Sequence, residues 1–154
     1  MIIALLLAVS TNLGDPLLTF SRAPSFDPRK VKVEVGVIRA GSRSNYWLKR
    51  TVVQKNAKSV WWTDTVRCPA ARTVLVEARN LAMPRVSVPG LENDELIITG
   101  DGVLYQLVGS AEYPGESAYD FEMQSNSGSP LAQWVDNSLR SLEPCWTTAP
   151  PKPA

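Results

Sequence analysis

Two acidic residues in the second half of the chain are spaced so that they could act as a catalytic pair. Asp120 and Glu122 stand two positions apart in an alternating segment, so on a β-strand they share one face, with about 6–7 Å between their Cα atoms. Paired carboxylates of this kind can hydrolyse glycosidic bonds. With Asp101 as a third candidate, the pattern predicts a carboxylate-dependent hydrolase acting on cell-wall saccharides. The same spacing is typical of any solvated strand face, and we favour that simpler interpretation.

Other catalytic chemistries are restricted by what the chain lacks. It contains no histidine and only two cysteines, which excludes a Ser-His-Asp triad, a Cys-His dyad and a zinc site with histidine ligands built from this chain alone. Lys58 and Ser59 are sequence neighbours, so on a strand they point to opposite faces and make a poor dyad. The acidic run 92–95 lacks the spacing and the glycine of a calcium loop. We therefore predict no metal and no cofactor, and we favour a non-enzymatic role.

Charge is distributed unevenly along the chain, although the net charge is only +1. Residues 1–90 contain fourteen basic and five acidic residues, whereas residues 91–154 contain two basic and ten acidic ones. Aromatic and cationic side chains are interleaved in the basic half, and they predict a surface for an anionic envelope component or a protein partner. Nucleic acid is disfavoured because the net charge is close to zero. The residues of this predicted surface are Tyr46, Trp47, Lys49, Arg50 and Trp62. We favour a more conservative interpretation of the charge distribution, in which the basic and acidic halves pair across a sheet and neutralise each other.

The two cysteines, Cys68 and Cys145, are predicted to form a disulfide. On the chain-entropy model, closing a loop of this length stabilises the fold by about 4 kcal/mol. The alternative is a pair of buried free thiols in a reducing compartment. A disulfide is typical of exported proteins.

The N-terminus supports export. Residues 2–9 form an unbroken apolar run, which is too short to span a bilayer, since a spanning helix needs about 20 residues. Residues 1–10 therefore read as a candidate signal segment, although the first basic residue is Arg22 and a buried strand is the alternative. Together with the absence of a glycosylation sequon, these features predict a bacterial protein that is periplasmic or secreted, without a membrane-spanning segment.

Residue alternation predicts the strands. Valines at every second position define a strand over 30–39, and alternating patterns bounded by turn residues predict further strands. These are 46–55, 59–66, 96–99, 103–107 and 119–123. Proline-rich composition predicts a linker or arm over 11–29 and a flexible tail over 147–154.

Two segments have helical spacing. The first is 69–82, with Pro69 at the first helical position. The second begins at Ser129 as the N-cap, with Pro130 following it, and ends before Pro144. The length fits one domain, placed at 30–146. We predict an α+β fold with the order βββα-βββα, in which a mainly antiparallel sheet of about six strands carries two helices on one face and one disulfide joins the helices.

Overall fold

The computed structural model describes residues 13–40, 43–85, 102–112 and 118–152, which form an antiparallel sheet covered on one side by two helices. Six strands lie in the order β4-β3-β2-β1-β5-β6, and each neighbouring pair runs antiparallel. The elements are β1 (Leu18–Pro24), β2 (Arg29–Ala40), β3 (Arg43–Gln54), β4 (Ala57–Asp64), α1 (Pro69–Arg79), β5 (Val103–Glu112), β6 (Ala118–Ser125), α2 (Pro130–Leu142) and a short 3₁₀ turn (Glu143–Cys145).

The predicted fold class is confirmed. A six-stranded antiparallel sheet, two helices on one of its faces and one disulfide are all present, and the chain passes twice through a series of strands followed by a helix. Among the described residues, four strands precede α1 and two lie between α1 and α2. The strand predicted at 96–99 and the signal segment predicted at 1–10 lie outside the described residues.

Strand β1 corrects the prediction of a linker or arm over 11–29. It lies in the middle of the sheet, where Phe20 pairs with Val33 of β2 on one side and with Leu107 of β5 on the other. Phe20 is fully buried. Pro24 is tolerated because it ends the strand, beyond the last residue that pairs with β2, where a missing N–H costs little.

Both helices begin as the sequence predicts. Pro69 and Pro130 occupy the first turn of α1 and α2, where a proline leaves no intrahelical hydrogen bond unmade. The Ser129 hydroxyl accepts a hydrogen bond from the Ala132 amide at 3.0 Å and so caps α2. Helix α1 ends at Arg79, three residues before the predicted end.

The core lies between the helices and the sheet. Trp134 of α2 packs edge-on against Phe20, with 4.9 Å between the ring centroids, and its indole N–H donates to the Val74 carbonyl of α1 at 3.3 Å. This tryptophan therefore joins both helices to the central strand. None of the helices in the described ranges is long and apolar enough to span a membrane.

The predicted disulfide is confirmed. Cys68 is the N-cap of α1, and Cys145 ends the 3₁₀ turn that follows α2. The bond closes a separation of 77 residues, so it fixes the start of one helix beside the end of the other. Cys68 is fully buried.

The C-terminal segment corrects the prediction of a flexible tail over 147–154, because its described part, 147–152, is folded onto the sheet. Thr147 pairs with Trp62 on the outer edge of β4, and Pro151 is fully buried. Proline excludes a helix and weakens a strand interior, but Thr147 precedes the prolines and keeps both backbone groups available for pairing.

Candidate functional site

The register of β3 divides the predicted binding residues between the two faces of the sheet. Lys49 lies opposite Glu34 and Trp62, whereas Arg50 lies opposite Val33 and Trp61. Alternate strand residues point to opposite faces, so Trp47, Lys49 and Trp62 share the face away from the helices, which we call the open face. Tyr46 and Arg50 share the helix-covered face. The five predicted residues therefore do not form one surface.

Lys49 lies at the centre of a charged cluster on the open face. Its ammonium group is 3.2 Å from Glu34 and 5.6 Å from the centroid of the Trp62 ring. Lys32 contacts the same carboxylate at 2.9 Å. Burial alone would raise the pKa of Glu34, but hydrogen bonds and attraction from the two lysines outweigh it and lower that pKa. Glu34 therefore remains ionised and holds both lysines in place.

Trp47 is on the open face but is only 4% exposed. Its ring lies directly over Gly36, where a Cβ atom would overlap it, and it packs against Trp62 with 5.9 Å between ring centroids. Glycine at position 36 is thus required by this close approach. Trp47 supports Trp62 from beneath and offers almost no surface of its own to a partner.

Arg50 is a structural residue of the helix-covered side. Its guanidinium carbon lies 4.6 Å from the Trp61 ring centroid and 4.9 Å from that of Trp146, and its Nη1 donates to Glu143 at 2.5 Å. The residue is 8% exposed. Arg50 therefore attaches the turn after α2 to the sheet, a role that sequence reasoning missed because Glu143 and Trp146 are remote in sequence.

Tyr46 also belongs to the folded interior. It is half-buried against the core, and its backbone exchanges hydrogen bonds of 3.0 Å with Thr65, whose hydroxyl and amide groups both take part. These bonds fix the chain where β4 leads into α1.

The open face carries further lysines that the predicted surface did not include. Lys30 and Lys32 of β2 and Lys58 of β4 have the same orientation as Lys49, because Lys30 and Lys58 both lie opposite Val53 of β3. All three are exposed. Lys30 and Lys58 form no ion pair with any described residue. We call Lys30, Lys32, Lys49, Lys58 and the half-exposed Trp62 the lysine face. The alternation of Lys30 and Lys32 with valines was the sequence signal that could have identified it.

The basic and acidic halves of the chain neutralise each other only in part. Arg22–Asp136 at 3.2 Å and Arg50–Glu143 join the two halves on the helix side. On the open face, β1 and β5 separate the acidic strand β6 from β2. Asp64 of β4 is bound to Arg67. On the lysine face, Glu34 therefore pairs with Lys32 and Lys49, whereas Lys30 and Lys58 have no ion-pair partner among the described residues.

Of the three candidate hydrolase residues, the two that the structure describes are exposed. Asp120 and Glu122 share the open face of β6, and Asp101 lies outside the described residues. Hydrogen bonds from Gln124 at 2.6 Å and Gln106 at 2.7 Å lower the pKa of Glu122. A general acid must still hold its proton near the working pH, so a lowered pKa does not suit Glu122 to that role.

Within the described part of the chain, no three His, Cys, Asp or Glu side chains converge to hold a metal ion. The chain matches no protein-family model, and neither curated proteins nor solved structures include a match. The functional proposal therefore depends on the surface itself.

Proposed function

We propose that this chain is an exported bacterial protein, periplasmic or secreted, that binds an anionic envelope component through its lysine face. Its role is in binding rather than catalysis.

The observation that carries the proposal is the concentration of cations on an uncovered sheet surface. Four lysines of β2, β3 and β4 point to the side opposite the helices, and Glu34 is the carboxylate that contacts two of them. Trp62 lies beside Lys49 and adds a partly exposed ring on which a sugar or other flat group can pack. A cationic surface of this kind attracts anions over several ångströms at low salt.

The disulfide supports the export part of the proposal. Disulfides persist in oxidising compartments such as the bacterial periplasm and the exterior of the cell, and Cys68 and Cys145 are bonded in this fold. The apolar run at 2–9 has the composition of a signal segment.

The hydrolase alternative, with Asp101, Asp120 and Glu122, stays a prediction. The lowered pKa of Glu122 weighs against Glu122 as the general acid of such a pair, because the general acid needs a raised pKa.

Charge reversal on the open face tests the binding proposal. The double variant Lys30→Glu, Lys58→Glu changes two exposed residues that have no ion-pair partner in the described structure. A lysine near an anionic surface contributes about 1 kcal/mol, so we expect the Kd for heparin, used as the polyanionic probe, to rise about thirtyfold or more. The difference should shrink as salt is added.

A matched control shows whether the location of the changed charges matters or only the net charge of the protein. Arg72→Glu, Arg79→Glu alters the net charge by the same amount on α1, where both arginines are exposed. We expect this control to retain most of the wild-type affinity. If both double variants lose heparin affinity equally, the lysine face has no special role and the proposal is wrong.

A further inference from the structure

A separate cavity lies at the end of the open face, where the C-terminal segment crosses the sheet. It has a volume of about 450 Å³, within the range of roughly 300–1,000 Å³ that small-molecule sites occupy. Part of its lining comes from Ile38 of β2 and Asn45 of β3, and another part from residues 149–152 of the C-terminal segment. The Thr147–Trp62 pairing holds that segment on the sheet.

The cavity has an apolar interior. Ile38 is 9% exposed, and Pro150 of the C-terminal segment is an exposed apolar residue in the same lining. Val66 adds a further apolar side chain, which is 69% exposed at the mouth. An aliphatic group of a ligand would cover Val66 and displace water from these surfaces, which is favourable.

Arg67 places a cation with a fixed orientation at the same mouth. The Nε of Arg67 donates to Oδ2 of Asp64 at 2.5 Å, and the Arg67 side chain is 42% exposed. Neither Nη atom of Arg67 makes a hydrogen bond to a described residue. Because one edge of the guanidinium is fixed by Asp64, the remaining donors are held in an orientation that suits a carboxylate.

Asp64 is itself rigidly held. Its side chain is 7% exposed, and its Oδ1 accepts from the backbone amides of Val66 at 2.9 Å and Arg67 at 2.8 Å. Asp64 thus acts as a positioning residue for Arg67. Lys152 of the C-terminal segment supplies a second exposed cation, so the lining of this apolar cavity contains two positive charges and one carboxylate that is already paired.

We propose that this cavity binds a small aliphatic monocarboxylate, with the carboxylate on Arg67 and Lys152 and the hydrocarbon chain against Ile38 and Val66. The site goes beyond the proposed function, because it shares no residue with the lysine face and needs no polyanion. A carboxylate can form two parallel hydrogen bonds with an arginine, and a cation at the mouth of an apolar cavity selects amphipathic anions over neutral or cationic analogues.

Octanoate is a suitable probe in an NMR titration of the full ¹⁵N-labelled chain. We expect saturable shifts of the Asn45 and Val66 amides and of the Arg67 Nε–H signal. Octanol should bind at least tenfold more weakly, since hydrogen bonds to charged groups contribute more than neutral ones. Octylamine should give no saturable shift at these positions.

Variants test the two cations. Arg67→Gln should weaken octanoate binding about tenfold or more, and Lys152→Gln should weaken it by a smaller factor. Arg79→Gln, an exposed arginine outside the cavity, is the matched control and should bind as wild type does. If Arg67→Gln does not fold, Lys152→Gln and the octanol comparison still decide the question, because Lys152 is exposed.

The proposal is overturned if octanoate gives no saturable shift at the cavity or if octanol binds as tightly as octanoate. It is also overturned if the shifts caused by octanoate map to the lysine face. Heparin binding by the same samples is measured separately. A negative result with octanoate therefore does not affect the proposal that the lysine face binds polyanions.

Discussion

Thr147 and Trp62 form a reciprocal backbone pair at the outer edge of the sheet. The Trp62 amide donates to the Thr147 carbonyl at 2.7 Å, and the Thr147 amide donates to the Trp62 carbonyl at 2.9 Å. Thr147 is two residues from Cys145, so the disulfide and this pair together hold the C-terminal segment on β4. The pairing covers part of an edge that would otherwise be open to another strand.

Removal of the C-terminal segment should destabilise the fold. A chain ending at Trp146 loses both hydrogen bonds of this pair and the buried Pro151, so we expect the free energy of unfolding to fall by about 2–3 kcal/mol. A chain ending at Lys152 is the control and should unfold as the full chain does. Urea unfolding followed by tryptophan fluorescence measures both. Equal stability of the two truncated chains would show that the segment contributes nothing.

Loss of the disulfide should lower stability by about 4 kcal/mol on the chain-entropy model. The double variant Cys68→Ala, Cys145→Ala avoids leaving a single reactive thiol. We expect its unfolding midpoint in urea to fall, together with faster hydrogen exchange at the Trp62 amide, because the anchor of the C-terminal segment is gone. Wild-type protein unfolded in urea without a reductant should not react with iodoacetamide. Alkylation of both cysteines in that sample would contradict the bond.

Replacement of Arg50 should affect stability rather than binding. Arg50→Met removes stacking on Trp61 and Trp146 and the pair with Glu143, and we expect a loss of about 2–3 kcal/mol. Glu143→Gln should cost less than about 1 kcal/mol, because the Glu143 side chain is 65% exposed. Arg72→Met removes the same single positive charge and is the control for heparin binding. The folded Arg50→Met protein should bind heparin with an affinity within about twofold of that of Arg72→Met. A selective loss of affinity would place Arg50 on the binding surface.

Acid should remove the contribution of Asp64. Burial alone would raise its pKa, but the hydrogen bonds from the Arg67 amide and side chain and from the Val66 amide outweigh it and hold the pKa below the ordinary 3.8. A depressed folded-state pKa gives stability that is present above pH 3.8 and is lost as the pH falls through the folded-state pKa.

The matching experiment compares urea unfolding of wild type and Asp64→Asn between pH 7 and pH 2. We expect wild type to be more stable by about 1–3 kcal/mol at pH 7, and the gap should close only below pH 3.8. Asp120→Asn controls for loss of an exposed carboxylate. A gap that is constant from pH 7 to pH 2 would show that the ionised form of Asp64 is not what stabilises the fold.

The sequence predicted an element correctly where the spacing of apolar residues or the residues at a helix start indicated one structure. Valines at every second position located β2, and Ser129 with Pro130 located the start of α2. Leu18 and Phe20 alternate in the same way, yet Pro16, Pro24 and Pro28 led to the prediction of an arm. Prolines that flank a strand limit its length without excluding it, and the central position of β1 depends on pairing with residues 103–109, which local sequence does not encode.

The binding surface was predicted less well because sequence proximity was taken for spatial proximity. Lys49 and Arg50 are neighbours in the chain but point to opposite faces, and the partners of Arg50 come from residues 143 and 146. Lys30 and Lys58 are distant in sequence. They lie side by side on the open face only because both pair with Val53 of β3.

The most direct test of the lysine face is to map heparin binding on the wild-type protein. A heparin-derived oligosaccharide titrated into ¹⁵N-labelled protein should shift the amide signals of residues 30, 32, 49 and 58 and the indole N–H of Trp62, with the shifts reversed by salt. Shifts that instead centre on Arg72 and Arg79 of α1, or that spread evenly over all basic residues, would contradict the assignment of the open face as the binding surface.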